Sequence, residues 1–401
     1  MVMDNDLNFI EDADDPSDEN LDDVQVGGSS LAGAVVYNTD WTVETIANQV
    51  AKGRIDLTPS FQRRDAWTVQ KKSLLIESIL LNFPVPPLTL AENGISKTYL
   101  VVDGKQRLTA ISQYFGLMEG ATNNKFKLSG LQELRDINGQ NIDGLRESFP
   151  QYNTALENYS IRTNVIRGWR RDDVLYSIFL RLNSGSVKLS PQELRQALKP
   201  GPFSDFMSDY TQTSEALRAI FPGVEPDFRM RDLELMLRYI GFQFFVDEYR
   251  GNLKKFLDFT AQTLNAEWPK YNSVIVQKCA IFESAYKAVV EVFSEDRAFR
   301  KWTGSKWESR LNRAVFDVMM FYLRDAGEIG AFKATGVALV AEFQNLCSTN
   351  PQFRDAIETT TKSVDAVSWR LGLWGGVLVK FGIIKNEISV TADRVISYEK
   401  P

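Results

Sequence analysis

The stretch VVDGKQRL, residues 101–108, decides the fold of the N-terminal half of this chain. The apolar residues of 98–102 predict a strand, and apolar residues return at helical spacing from Leu108 to Phe115. Gly104 lies between the two segments and predicts a tight strand-to-helix turn. Because such a turn points several backbone N–H groups at one place, it is a ready site for an anion.

The charged residues of this turn indicate a nucleotide phosphate. Lys105 and Arg107 add positive charge, and an arginine can grip a phosphate bidentately. Asp103 would repel an anion directly, but it suits a Mg²⁺ ion that bridges to phosphate oxygens. The alternative is an ordinary Asp-Gly turn with surface cations.

A second polar motif is PSFQRRDAW, residues 59–67. It follows a predicted strand, so Gln62 and Arg63 would face polar groups of a ligand in the same cleft. The alternative is an exposed loop anchored by its aromatic residues.

The third motif is FLRLNSGSVKLSPQELRQAL, residues 179–198. Ser190 as N-cap and Glu193 three residues later predict a capping box at the start of a helix. A functional interpretation directs Arg181 and Asn183 toward the nucleotide, whereas the structural one is a pair of capped helices.

The composition excludes several classes of mechanism. The 401 residues include no histidine, which excludes Ser-His-Asp triads, HNH nuclease centres and His-ligated zinc. The two cysteines, Cys279 and Cys347, lie in apolar helical segments, and we predict buried, reduced thiols. No signal peptide or membrane-spanning run is evident, so we predict a cytoplasmic protein without a membrane partner.

The net charge of −6 is unevenly distributed. Residues 1–30 hold ten acidic residues and no lysine or arginine, and removing these ten charges from −6 leaves +4 for the rest. We predict a disordered acidic segment and linker over residues 1–35. It is either a solubilising leader or a nucleic-acid mimic that competes for a basic groove.

Periodicity predicts an α+β protein of two folded domains. Residues 36–170 alternate short strands and helices, with Thr42 and Thr68 as helix N-caps and 118–150 as a long loop. Residues 171–401 show helical periodicity almost throughout. We therefore expect a small α/β domain with a mixed sheet, followed by a mainly α-helical domain.

The three motifs, in this order and spacing, resemble the N-terminal domain of the GmrSD restriction endonuclease family over roughly residues 40–200. That family is similar to the ParB/sulfiredoxin fold, in which a nucleotide phosphate sits on a strand-turn-helix. The resemblance implies restriction of modified or phage DNA and hydrolysis of a nucleoside triphosphate with Mg²⁺. Asp103, Gly104, Gln106 and Arg107 match the family's D-G-Q-Q-R element, whereas Lys105 replaces its usual glutamine.

From this resemblance we expect Asp103 to be the catalytic residue and metal ligand, and Gly104, Gln106 and Arg107 to bind the nucleotide. Lys105 is added to the nucleotide-binding residues because of its positive charge in the same turn. Full-length relatives often append an HNH nuclease, which a chain without histidine cannot carry. A separate nuclease or another defence protein is therefore an expected partner, together with DNA.

Two alternatives remain open. One is a non-catalytic, ParB-like adaptor that binds DNA or protein. The other is a metal-dependent nuclease in which Asp103 and Lys105 form the D-x-K half of the centre and Glu92 is the upstream carboxylate. For DNA contact the candidates are the arginines Arg162, Arg167, Arg170 and Arg171, which are equally compatible with a solvated face.

Overall fold

The computed structural model describes residues 35–57, 67–94, 96–117, 125–169, 174–175, 178, 190–222, 230–359, 361–391 and 393–398. The chain divides into two compact units. One comprises the described residues up to 212 together with 230–233, and the other comprises 213–222 and the described residues from 234 onward. The domain boundary expected at residue 170 stays a prediction.

The first unit is built on a five-stranded mixed sheet in the order β1-β5-β3-β4-β2. Its strands are β1 Val35–Thr42, β2 Ile55–Asp56, β3 Leu88–Glu92, β4 Tyr99–Asp103 and β5 Ser160–Arg167. β1 runs antiparallel to β5, β5 parallel to β3, β3 antiparallel to β4, and β4 parallel to β2. The predicted mixed sheet is confirmed.

In the described part of this unit, seven α-helices lie between and after these strands in the chain. They are α1 Val43–Ala51, α2 Val69–Leu80, α3 Lys105–Phe115, α4 Ile142–Ser148, α5 Pro150–Asn158, α6 Pro191–Leu198 and α7 Pro202–Thr213. Thr42 and Thr68 accept hydrogen bonds from Thr45 N–H and Lys71 N–H, so both predicted N-caps are confirmed.

The two faces of the sheet have separate apolar cores. On one face Leu90 and Val101 pack with α1 to α5, represented by Ile46, Ile76 and Ile111. On the other face a smaller cluster joins Ala91, Val102 and Ile166 to Leu175, with Leu198 of α6 packed against it. The last residue of α6 therefore lies on the second face of the sheet.

One strand in this unit was missed from the sequence, and the prediction of one loop was wrong. β1 was not predicted: Val35 and Val36 are exposed, and the strand is defined by its pairing with β5 rather than by an apolar alternation of its own. The described part of the predicted loop 118–150 contains a 3₁₀ turn, Arg135–Ile137, and α4. These short elements form because Ile142 and its neighbours enter the main core.

The second unit is mainly helical, as predicted. Beyond residue 213 the helices are α8 Glu215–Ile220, α9 Arg231–Phe245, α10 Leu253–Ala266, α11 Trp268–Phe293, α12 Arg313–Phe321, α13 Ala326–Thr335, α14 Val337–Thr349, α15 Pro351–Glu358 and α16 Val364–Lys380. A two-stranded hairpin, β6 Ser389–Val390 and β7 Ile396–Ser397, follows. Among the described residues, no helix has both the length and the hydropathy needed to cross a bilayer.

The interior of the helical unit contains a cluster of three buried charged side chains. Asp317 of α12 accepts from Arg238 Nε at 2.6 Å and from Arg370 Nη2 at 2.9 Å, and all three side chains are almost fully buried. Burial by itself lowers the pKa of both guanidinium groups; near Asp317 the pKa of Arg238 is raised overall, whereas that of Arg370 stays lowered. One carboxylate therefore serves two buried cations.

The two cysteines are buried free thiols, which confirms the prediction for them. Burial raises the pKa of Cys279 and of Cys347 to about 12. Thiols with so high a pKa are poor nucleophiles near neutral pH, so neither suits a catalytic role.

Candidate functional site

The candidate site is the turn that joins β4 to α3. β4 ends at Asp103, Gly104 adopts a left-handed conformation with φ of 96°, and α3 begins at Lys105. A Cβ atom at position 104 would lie 2.4 Å from Leu88 Cδ2, and the positive φ disfavours any L side chain. Glycine is therefore the residue that allows this abrupt passage from strand to helix.

The N-terminus of α3 has no side-chain cap. Its first helical hydrogen bond runs from Leu108 N–H to Gly104 C=O at 2.9 Å, so the N–H groups of residues 105–107 have no acceptor within the helix. Gly104 occupies the N-cap position and has no side chain to offer. These N–H groups and the positive end of the helix dipole favour an anion at the turn.

Arg107 folds back over the turn. Its Nη2 donates to Asp103 Oδ2 at 3.0 Å, and its Nη1 donates to the carbonyl oxygens of Pro87, at 3.1 Å, and Pro86. The side chain is only 8% exposed; burial lowers the pKa of the guanidinium, and Asp103 opposes that effect. In this state Arg107 holds Asp103 and the segment before β3 in place, and a phosphate would have to replace some of these bonds. Its predicted phosphate contact stays a prediction.

Lys105 meets a residue that is distant in sequence. Its Nζ lies 3.5 Å from Glu193 Oε1, and the two side chains are 11% and 7% exposed. Glu193 belongs to α6, where its Oε2 accepts from Ser190 N–H at 2.7 Å while its own N–H donates to Ser190 Oγ at 3.1 Å. The predicted capping box is confirmed, and its glutamate also reaches the turn.

Gln106 contributes a buried polar atom. Its Oε1 is inaccessible to solvent and has no hydrogen-bond partner among the described residues. A buried amide oxygen left unpaired costs free energy, so a polar group bound at the turn would relieve that cost. Its predicted role in nucleotide binding stays a prediction.

The residues of the turn fit Mg²⁺ only as a companion of phosphate. Asp103 is 25% exposed and is the acidic residue of the 103–107 turn. Nowhere in the described ranges do three His, Cys, Asp or Glu side chains come together in a way that would hold a metal ion. Mg²⁺ is commonly bound by one or two carboxylates together with phosphate oxygens and water, and Asp103 suits that mode.

The strand register separates Glu92 from Asp103. Asp103 pairs with Thr89 and Glu92 pairs with Tyr99, so the two residues are offset along the sheet by three residues of β3 and four of β4, about 10–13 Å between Cα positions at roughly 3.3 Å per residue. Two ligands of one Mg²⁺ lie within about 4 Å of each other, given metal–oxygen distances near 2.1 Å. Glu92 also pairs with Lys97 and Arg167. The arrangement does not suit the nuclease alternative.

The described members of the arginine cluster form ion pairs along the sheet. Arg162 lies 3.5 Å from Asp40 on β1, and both side chains are exposed. Arg167 pairs with Glu92 and lies over the ring of Tyr37 at 4.1 Å. Their predicted DNA contact stays a prediction. Six predicted site residues lie outside the described residues: Gln62, Arg63, Arg170, Arg171, Arg181 and Asn183.

Two contributions to this site were not predicted from the sequence. The contact between Glu193 and Lys105 joins positions far apart in the chain. The capping box already explained why a glutamate stands at position 193, so nothing in the sequence indicated a second contact. The carbonyl groups of Pro86 and Pro87 are backbone groups, so no residue type in the sequence indicates that they accept hydrogen bonds from Arg107. The prolines themselves did predict the start of β3.

Part of this chain matches a known protein family. Residues 43–198 match the sequence model described as GmrSD restriction endonuclease, N-terminal domain. The matched range begins with α1 and ends with α6, so it includes the turn and Glu193. No curated protein and no solved structure matches the chain.

Proposed function

Because residues 43–198 carry a GmrSD N-terminal domain, we propose that this chain is the nucleotide-binding and nucleotide-hydrolysing module of a DNA-restriction or phage-defence system. The match to this domain supports a role in restriction or phage defence. The observation that carries the nucleotide proposal is the turn itself, a strand that passes through a left-handed glycine into an uncapped helix. The ParB-like relationship of the fold is part of this proposal.

Each residue of the turn has a distinct role in the proposal. The N–H groups of residues 105–107 donate hydrogen bonds to phosphate oxygens, and Lys105 adds a positive charge. Asp103, held in place by Arg107, would be the protein ligand of a Mg²⁺ bound together with the triphosphate. When bound, this ion would neutralise the charge on the phosphates. Gln106 Oε1 accepts a hydrogen bond from the ligand.

DNA cleavage is assigned to a partner protein. The sequence contains no histidine, so an HNH centre is excluded. Glu92 is offset from Asp103 along the sheet and is already paired with Lys97 and Arg167, which does not favour a metal ion shared by the two carboxylates. The proposal therefore pairs this chain with a separate nuclease or another defence protein, and includes DNA as a further partner.

The test is nucleotide binding and phosphate release with Mg²⁺ and each of ATP, GTP, CTP and UTP. Asp103→Asn should abolish phosphate release, because the amide cannot serve the metal as the carboxylate does. The matched control is Asp143→Asn, since Asp143 is an exposed acid of the same domain that pairs with Lys125. A wild-type protein that binds none of the four nucleotides would contradict the proposal, as would Asp103→Asn with unchanged turnover.

Plasmid cleavage separates this proposal from a nuclease. The purified chain should leave supercoiled plasmid intact with Mg²⁺ or Mn²⁺, with and without nucleotide. Metal-dependent nicking that disappears in Lys105→Gln would favour the nuclease instead, because that lysine would position the attacking water.

A second candidate is a non-catalytic adaptor for DNA or protein. The observation in its favour is that the charges of the turn are internally paired, Arg107 with Asp103 and Lys105 with Glu193. Paired charges of this kind also stabilise a purely structural turn. Retained binding of DNA or of a partner, without nucleotide binding or phosphate release, would identify the adaptor.

A further inference from the structure

The two carboxylate oxygens of Glu193 have different partners. Oε2 accepts from Ser190 N–H at 2.7 Å and completes the capping box of α6, whereas Oε1 lies 3.5 Å from Lys105 Nζ. Capping needs one oxygen only. The second oxygen faces the lysine of the proposed phosphate site, and both side chains are nearly buried.

This contact changes the charge that a phosphate would meet. Asp103, Lys105, Arg107 and Glu193 together carry two negative and two positive charges. Without Glu193 the turn would have a net charge of +1. Carboxylate and phosphate are both oxygen anions that bind an ammonium group through charge-assisted hydrogen bonds, so they compete for the same Nζ.

We infer that Glu193 is the resident counter-ion of the turn: its carboxylate occupies Lys105 until a phosphate group replaces it, and it thereby sets the affinity of the site for phosphate-bearing ligands. This inference rests on the proposed function. The Lys105–Glu193 ion pair also connects α3 to α6. Phosphate binding at Lys105 should therefore weaken this ion pair, and the ion pair should weaken phosphate binding by the same factor.

Two variants separate the counter-ion role from the capping role. Glu193→Gln keeps an oxygen that can accept from Ser190 N–H, but it removes the negative charge at Lys105. Ser190→Ala removes the Oγ half of the capping box and leaves the carboxylate beside Lys105. Calorimetry would measure the dissociation constants for the Mg²⁺ complexes of ATP, GTP, CTP and UTP, and thermal unfolding would show that each variant is folded.

We expect Glu193→Gln to bind about tenfold more tightly than the wild type, the scale of one unit charge acting over several ångströms at the effective dielectric constant of a protein. Ser190→Ala should stay within about twofold of the wild type, since it leaves the charges of the turn unchanged.

The higher nucleotide affinity expected for Glu193→Gln must depend on Lys105. In a Lys105→Gln background, adding Glu193→Gln should give little further change, because there is no ammonium group left to release. If Glu193→Gln increases the nucleotide affinity equally with Lys105 and with Lys105→Gln, Glu193 only repels the phosphate. That result would overturn the inference that phosphate replaces the carboxylate at Lys105.

Inorganic pyrophosphate tests the charge of the turn without a nucleoside. Calorimetry should give a several-fold lower dissociation constant for Glu193→Gln than for the wild type, because the carboxylate no longer competes with the phosphate oxygens for Lys105 Nζ. Equal pyrophosphate affinities in the two proteins would overturn the inference. If Glu193→Gln fails to fold, Glu193→Asp is the second variant, since its shorter side chain draws the carboxylate away from Nζ and should tighten pyrophosphate binding in the same direction.

The outcomes distinguish this inference from the proposed function. If the wild type binds nucleotide and Glu193→Gln binds equally or more weakly, only the counter-ion inference fails. If neither protein binds any of the four nucleotides, the proposed function fails and the inference falls with it. Binding by Glu193→Gln that the wild type lacks would support both.

Discussion

Arg107 Nη2 donates to Asp103 Oδ2 at 3.0 Å across the left-handed Gly104, so the acid and the cation of the turn are each other's partners. The same guanidinium holds the carbonyl groups of Pro86 and Pro87. The position of the proposed metal-binding carboxylate therefore depends on a buried arginine that also fixes the entry to β3.

Arg107→Ala should lower the free energy of unfolding by roughly 1–3 kcal/mol, because Asp103 and the carbonyl groups of Pro86 and Pro87 lose the donor that holds them. Urea denaturation without nucleotide measures this. Arg146→Ala, which breaks an exposed pair with Glu157, is the control and should change little. Stability equal to wild type in Arg107→Ala, with nucleotide binding lost, would instead assign Arg107 to phosphate alone.

Gly104→Ala should destabilise the first unit by about 1–3 kcal/mol through backbone strain and the close approach to Leu88. Gly53→Ala isolates the backbone part of this cost, since Gly53 has φ of 62° and a Cβ added there would meet no atom within 4 Å. Thermal unfolding of both variants measures the difference. If the two variants are equally destabilised, the contact with Leu88 contributes nothing.

Glu77→Gln should destabilise the protein by roughly 1.5–3 kcal/mol at neutral pH, the value of hydrogen bonds to a charged group. The buried carboxylate accepts from the N–H groups of Glu133 at 2.8 Å, Leu134 at 2.9 Å and Gln132 at 3.1 Å. Burial alone would raise the pKa of Glu77, but these three hydrogen bonds lower it below its ordinary value.

The pH dependence of this variant follows from the lowered pKa. The folded state of the wild type holds the Glu77 proton less tightly than the unfolded chain does. Its contribution is therefore present above the unfolded pKa of about 4.3 and is lost as the pH falls through the lower folded value. The stability difference between wild type and Glu77→Gln should be constant from about pH 6 to 8 and shrink in acid. A difference that stays constant down to about pH 3 would contradict this assignment.

Asp317→Asn should destabilise the helical unit by about 3–5 kcal/mol, because two buried guanidinium groups would lose their shared carboxylate. Arg238 and Arg370 are both in contact with it. Asp365→Asn removes an exposed ion pair with Arg394 and is the control, with an expected change below about 1 kcal/mol. Chemical denaturation of the two variants gives the comparison.

Local signals in the sequence predicted much of the fold. The N-caps Thr42 and Thr68, and the capping box of Ser190 and Glu193, are formed by residues three positions apart, so their hydrogen bonds can be inferred from the sequence alone. The strand-glycine-helix turn at 101–108 is also local, because Gly104 marks the one position that requires a positive φ.

The tertiary structure decided the features that depend on distant partners. β1 exists because β5 pairs with it, and α4 is held by the apolar core that it enters. The sequence by itself determined that Asp103, Lys105 and Arg107 share one turn. Only the folded chain decided that Arg107 is buried against proline carbonyl groups and that Lys105 meets Glu193, because burial and charge pairing depend on which distant segments pack together.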